Sequence, residues 1–328
     1  MSYAQSGLIA ASDYNGFVGA ATTPTGTINY VWSTGNGQFG YGQTSLAQVS
    51  ATGLVTATQW ASAINTLNSI KTHQSGSGTG IGAPTAGSLV AYLSAISTNI
   101  GTINTNKLSF ATQGSTTTGS NSADVLSSAN GIAAQTFTIT RTATFASADQ
   151  ARYFFNAGGQ INFVISSGTN TGATNRGADL ITLAATNLGT YSAFGATSGG
   201  GRSGTGGTLV TNATTIGYYN LTTSLQTLSK ITATTSPYTG DYVQLDVKSN
   251  GVQGSNGDVG TVITFQLTLY SAAQSSYPAP PANPPGTGTT VNNTTTEDAI
   301  NVTINNRLDI VYPETTNLSN SWGSVTIA

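Results

Sequence analysis

Strand-like alternation with threonine at every second position is the feature of this chain that most constrains its fold. In QTFTITRTATF, residues 135–145, every even position from 136 to 142 is threonine, and Phe137 and Ile139 lie between them. This period of two is typical of a strand with one buried face and one solvated face. Similar reasoning predicts strands at 161–167, 216–221, 241–248, 260–271, 299–311 and 323–327.

The solvated face of such strands carries almost no charge. The chain has 9 Lys+Arg and 11 Asp+Glu among 328 residues, or 6%, where about a quarter is usual. With 38% hydrophobic residues, including 3 Trp, 14 Tyr and 10 Phe, it has enough apolar material for a core, which argues against disorder. An exterior of Thr, Ser, Asn, Gln and Gly suits close packing in a rigid assembly.

The same composition narrows the possible chemistry. The absence of cysteine excludes disulfides and thiolate metal sites, and the one histidine, His73, is expected at a helix end. Nine scattered basic residues and a pI of about 5.1 argue against nucleic-acid binding. We therefore predict no catalytic residue, no cofactor and no metal ligand, although a pair of carboxylates could still serve a glycosidase.

A helical pattern begins at residue 56. Thr56 and Gln59 have the spacing of a capping box, and Trp60, Ile64 and Leu67 share one stripe. Further short helices are predicted at 13–18, 147–155 and 178–189.

A second helical segment after Pro84 has a heptad-like seam. Its apolar residues alternate four and three apart, and they form a candidate self-assembly interface: Leu89, Leu93, Ile96, Ile100 and Ile103. Two arrangements satisfy this pattern. The seam covers the first helix within one chain as a helical hairpin, or it packs against other chains in a short bundle.

An aromatic cluster lies among glycines in NYVWSTGNGQFGYGQ, residues 29–43. The glycines favour tight turns and argue against a helix there. The candidate contact residues are Tyr30, Trp32, Phe39 and Tyr41. Burial in their own domain, contact with another subunit and stacking on sugar rings are three roles open to them.

These patterns together predict a mainly β chain with a smaller α part. Residues 1–110 are expected to form an N-terminal anchoring or oligomerisation region with two helices, and 111–131 a Ser/Thr/Gly-rich linker. Residues 132–328 are expected to form an antiparallel β-sandwich with a Pro-rich loop at 277–290.

Several strings resemble known sequences. SGLIAASDYNGFV, VWSTGNGQFGYGQ and GLVTATQWASAINTLNSIKTHQ resemble the opening of a group of virion structural proteins of tailed phages, including phages of cyanobacteria and marine bacteria. TFASADQARYFFNAGGQINF, GYYNLTTSLQTLSK, SPYTGDYVQLDV and NGDVGTVITFQLTLYS resemble their β-rich body. The resemblance spans about residues 6–272 and implies a non-enzymatic particle component of the tail, baseplate, neck or fibre.

The expected location is the virion. The first residues lack a basic region followed by an apolar stretch, so we expect no secretory signal, and no apolar run is long enough for membrane insertion. Assembly in the host cytoplasm and release at lysis fit both features. The expected partners are copies of the chain itself, as a trimer, and other virion proteins. The alternatives are a host-recognition protein that binds a surface glycan and, less favoured, a polysaccharide depolymerase.

Overall fold

The fold is mainly β, as predicted, with a helical part at the N-terminal end. A computed structural model describes residues 11–86, 93–129, 133–252, 259–273 and 299–328. Within these ranges, two six-stranded antiparallel sheets form a sandwich-like arrangement. One continuous hydrophobic core runs through the helical part and between the sheets.

In the part of the chain that the structure describes, six helices precede or interrupt the strands. They are α1 (Ala11–Val18), α2 (Ile28–Trp32), α3 (Ala57–Ser75), α4 (Leu93–Thr105), α5 (Ala148–Asn156) and α6 (Asn175–Ile181), the last continuing as a π-helical turn at Thr182–Leu188. The capping box of α3 is confirmed, since the Thr56 hydroxyl accepts from the Gln59 N–H while the Gln59 side chain accepts from the Thr56 N–H. The expectation of no helix in residues 29–43 was wrong, since α2 occupies the start of that segment. The helix ends before Gly35, the first glycine of the segment.

Among the described residues, twelve strands form the two sheets. They are β1 (Gln113–Thr118), β2 (Ser122–Ser127), β3 (Gln135–Thr144), β4 (Gln160–Asn170), β5 (Thr190–Phe194), β6 (Gly201–Arg202), β7 (Thr208–Asn212), β8 (Gln226–Thr232), β9 (Tyr242–Ser249), β10 (Val262–Ser271), β11 (Asn301–Pro313) and β12 (Thr326–Ile327). The strand predicted at 216–221 is instead a 3₁₀ turn at Tyr218–Asn220.

The first sheet has the order β1-β11-β4-β5-β6, with β2 also pairing with β11. The second sheet has the order β12-β3-β10-β9-β8-β7. Their inner faces meet through aromatic rings: Phe265 of β10 lies 6.1 Å from Phe163 of β4 and 5.4 Å from Phe194 of β5, measured between ring centroids. Along β10, residues alternate between buried and half-buried from end to end, as the period-two pattern predicted.

The predicted linker at 111–131 was wrong. Within it, β1 pairs with residues 309–313 of β11 and β2 with residues 301–306. All six residues of β1 are exposed, so the strand has no apolar alternation that a sequence could show. Its threonines still favour an extended backbone, because a β-branched side chain fits the pleated surface of a sheet. The Pro-rich loop predicted at 277–290 lies outside the described residues.

Candidate functional site

The four residues predicted as an aromatic contact cluster pack within the chain. The ring centroids of Tyr30 and Phe39 are 4.6 Å apart. Tyr41 is 0% exposed, and its hydroxyl donates to the Lys107 carbonyl at 2.9 Å. Trp32 is half-buried and donates its indole N–H to a backbone carbonyl at 2.9 Å. Burial thus accounts for Tyr30 and Tyr41, whereas Trp32 and Phe39 keep part of their surface.

The heptad-like seam of α4 also points into the chain. Ile96, Ile100 and Ile103 are buried and Leu93 is half-buried, on the side of α4 that packs with α3. Leu89 lies outside the described residues. The helical hairpin therefore describes how these side chains pack in the single chain, and an aspartate at Ile96 or Ile100 would disrupt that hairpin.

A buried polar seam joins the glycine-rich turn after α2 to helix α5. Asn156 of α5 is 0% exposed, and its amide donates to the carbonyls of Gly37, Phe39 and Gly40 at 3.0–3.1 Å. Arg152, one turn earlier, also donates to the Phe39 carbonyl, at 2.6 Å. Buried carbonyls in a turn lack ladder partners, so these side chains supply the donors they need. The seam fixes the N-terminal part against the sandwich.

A histidine–glutamate pair forms a second contact of this kind, between the end of α3 and the residues after β11. His73 Nδ1 lies 2.9 Å from Glu314 Oε1, and both side chains are almost fully buried. Burial alone would raise the pKa of Glu314, but hydrogen bonds from His73, Asn317 and Thr316 outweigh it and lower that pKa to about 2. The pair thus holds an ionised carboxylate inside the protein.

Two aspartates approach each other between α6 and the second sheet. Burial, followed by the charge of Asp241, raises the pKa of Asp179 to about 7. Burial also raises the pKa of Asp241, against the opposing effects of the Ala272 N–H, Ser271 and Arg176. Asp241 is 0% exposed. The raised pKa lets Asp179 keep a proton near neutral pH, and its neighbour Asp241 has no surface that a substrate could reach.

The outer face of the second sheet carries polar side chains on four neighbouring strands, most of them partly or fully exposed. We define it by the residues that point away from the core on its four longest strands. They are Thr136, Thr138, Thr140 and Thr142 of β3, Thr264, Gln266, Thr268 and Tyr270 of β10, Tyr242, Gln244, Asp246 and Lys248 of β9, and Thr227, Lys230 and Thr232 of β8.

An aromatic pair lies at one end of this outer face. Tyr242 and Tyr270 are direct cross-strand partners, and their half-buried rings stack with centroids 4.8 Å apart and planes at 21°. Lys230 lies with Nζ 3.9 Å from the centroid of the Tyr242 ring. On the other side of Tyr270, its cross-strand partner is Thr136, which is exposed. The ammonium group of Lys230, the two tyrosine rings and the small hydroxyl side chain of Thr136 thus lie side by side across the sheet, and we call them the aromatic row.

The middle of the outer face contains a hydrogen-bonded carboxylate. Asp246 is 4% exposed, and it accepts from Gln244 Nε2 at 2.9 and 3.0 Å and from the Thr227 hydroxyl at 2.7 Å. Because these bonds occupy its oxygens, the carboxylate is held at the sheet and does not project outward. The projecting charges of the outer face are therefore Lys230 and Lys248.

Sequence reasoning did not find this array, although part of its signal was visible. The alternating threonines of β3 are evident from the sequence of residues 135–145. The pairing of Tyr242 with Tyr270, in contrast, depends on the register of β9 and β10. Register is set by the whole sheet and by the intervening turn, so no local spacing reveals it.

Known proteins give no guide to the site. Comparison of the chain with protein-family models, with curated proteins and with solved structures finds no match. Within the described ranges, no three His, Asp or Glu side chains are grouped as ligands of a metal ion would be. No helix among the same residues has both the length and the apolar character needed to cross a membrane.

Proposed function

We propose that this chain is a non-enzymatic structural component of a tailed-phage virion that works as a homo-oligomer. The observation that carries the proposal is the placement of its arginines: all five make internal contacts. Their partners are the carboxylates of Asp124, Asp149 and Asp309, the hydroxyl of Ser271, and the carbonyl of Asn187.

With these arginines paired inside the chain and only 6% of its residues charged, the exterior carries little charge. Such a surface has little electrostatic repulsion between copies, so chains can be packed closely around a symmetry axis. The β1 edge illustrates this surface, since all six of its residues are exposed and none is charged.

The hydrophobic core shared by the helical part and the sandwich also supports a structural role. The contacts of Asn156 and Arg152 with the turn after α2, and of His73 with Glu314, hold the N-terminal part on the sandwich. A body fixed at several points transmits load and keeps its shape, which is what a particle component requires. The strings quoted above resemble virion structural proteins, and this resemblance is the reason that we propose a phage particle as the assembly.

The proposal is tested in two steps. Mass spectrometry of gradient-purified particles should detect the chain at a fixed ratio to other virion proteins, and light scattering of the purified protein should give a discrete oligomer. A chain that is absent from the particles would refute the virion role.

Charge on the exterior provides a sharper test of the packing argument. Thr116→Lys together with Thr118→Lys, on the exposed strand β1, should weaken assembly at low salt, and added salt should restore it. Thr116→Ser with Thr118→Ser is the matched control. Equal oligomer size for both variants at all salt concentrations would show that the β1 surface takes no part in assembly.

A further inference from the structure

We infer that the outer face of the second sheet binds an acidic polysaccharide, with a sugar ring stacked on Tyr270 above Thr136. This inference goes beyond the proposed function and does not depend on it, because it concerns the isolated chain and one class of ligand.

The first argument is the geometry of the aromatic row. The rings of Tyr242 and Tyr270 are nearly parallel and 4.8 Å apart, which is the spacing of neighbouring strands. Their faces are therefore directed along the row, from β8 towards β3. Lys230 covers the outer face of Tyr242. The corresponding face of Tyr270 is directed over Thr136, whose small side chain leaves room for another ring.

The second argument is the chemistry around that position. A sugar presents an apolar C–H face to an aromatic ring and hydroxyls at its edge. Thr136 and Thr138 of β3 are both exposed, and Thr268 and Gln244 lie in the next row of the sheet. The threonine hydroxyls both donate and accept hydrogen bonds, and the carbonyl oxygen of Gln244 can accept one while its N–H groups donate to Asp246, so these groups can pair with sugar hydroxyls.

The third argument is charge complementarity, which selects an acidic ligand. Two of the chain's four lysines, Lys230 and Lys248, project from the outer face. The carboxylate of Asp246 is 96% hidden and hydrogen-bonded, while the arginines contact internal partners. On the outer face the two lysines thus outnumber the one carboxylate, Asp246, whereas the whole chain has a net charge of −2.

The spacing of the two lysines indicates a polymer. Lys248 follows Tyr242 by six residues on the same strand, so about 20 Å separates the aromatic end from this second cation. A chain of several sugars that follows β9 and β10 can contact both ends, and carboxylates at intervals along it can meet each lysine.

Binding to polygalacturonate and to alginate, with neutral dextran as the comparison, tests the inference. Affinity electrophoresis of the full chain should show retardation by at least one of the two polyuronates, loss of retardation at high salt, and none by dextran. No binding to either polyuronate, or equal binding to dextran, would overturn it.

Substitutions locate the site. Tyr270→Ala should weaken binding about tenfold, as expected for loss of one ring contact. Thr136→Tyr should block it although it removes no aromatic ring, because the new ring occupies the place of the sugar. Thermal melting confirms that each variant is folded. Binding that survives both substitutions would overturn the assignment.

A matched pair of lysine variants isolates the charge. Lys230→Gln removes the cation over the Tyr242 ring, whereas Lys107→Gln removes the cation that lies 4.8 Å from the centroid of the Phe39 ring in the N-terminal part. The first should weaken polyuronate binding about threefold and the second should leave it unchanged. Equal effects would indicate non-specific attraction and contradict a site on the second sheet.

Discussion

Replacing Asp179 by asparagine should stabilise the protein above neutral pH and stabilise it less at pH 5. Burial and the nearby charge of Asp241 raise the pKa of Asp179 from 3.8 to about 7 in the folded state. Because the folded pKa lies above the unfolded one, the folded protein holds a proton that the unfolded chain has lost. The stability linked to this group is complete below pH 3.8 and is lost as the pH rises through 7.

The size of the effect follows from the pKa difference. At about 1.4 kcal/mol per pKa unit, the rise from 3.8 to about 7 corresponds to at most about 4 kcal/mol. Asp179 is only half-buried, and water screens part of the interaction, so we expect about 2 kcal/mol at pH 8. For 328 residues, this corresponds to a rise in Tm of about 3 °C.

Differential scanning calorimetry at pH 5 and pH 8 measures the change. Asn175→Ser, at an exposed position of the same helix, changes no titratable group and should shift Tm equally at both pH values. A D179N protein that is no more stable than the wild type at pH 8, or that gains as much at pH 5, would refute the linkage.

Three further predictions concern the contacts that hold the fold. Asn156→Ala removes the donor to three buried carbonyls and should lower the unfolding free energy by about 3 kcal/mol, measured by urea denaturation; an unchanged midpoint would contradict the seam. The pKa of Glu314 lies below its ordinary value, so the stability that its ionised form contributes is complete above pH 4.5 and is lost as the pH falls towards 2. The fall in Tm from pH 5 to pH 2.5 should therefore be smaller in Glu314→Gln than in the wild type. An equal fall in both proteins would argue against the His73–Glu314 pair. Thr56→Ala should cost about 1 kcal/mol by removing the cap of α3, whereas Thr56→Ser should cost little.

The elements that the sequence predicted well are those with one buried face. β3, β10 and α3 each have a strict period, of two or of 3.6, because each covers the core on one side only. The capping box at Thr56 and the serine cap before α5 mark their helices by local hydrogen bonds, so they are visible without tertiary information.

The elements that were missed lack such a face or depend on distant partners. β1 is exposed throughout, and β7 is an edge strand in which Leu209 and Val210 are 46% and 56% exposed, so neither shows apolar alternation. α2 is five residues long and is stabilised by its surroundings, since Asn29 bonds to the carbonyls of Gly19 and Leu46. The aromatic row on the second sheet likewise depends on a register that no short segment contains.

The different uses of arginine and lysine explain how a chain with so little charge can be both rigid and selective. Arginine has a planar group with five donors, which suits buried carbonyls and carboxylates at the irregular joins of the fold, as Arg152 does at the Phe39 carbonyl. Lysine is a strongly hydrated point charge on a flexible stem, so it remains at the surface. Lys230 and Lys248 are consequently available to a ligand, and neutralising them changes binding without destabilising the core. Arg152→Lys, in contrast, would weaken the buried polar seam between α5 and the turn after α2 and leave the outer face of the second sheet unchanged.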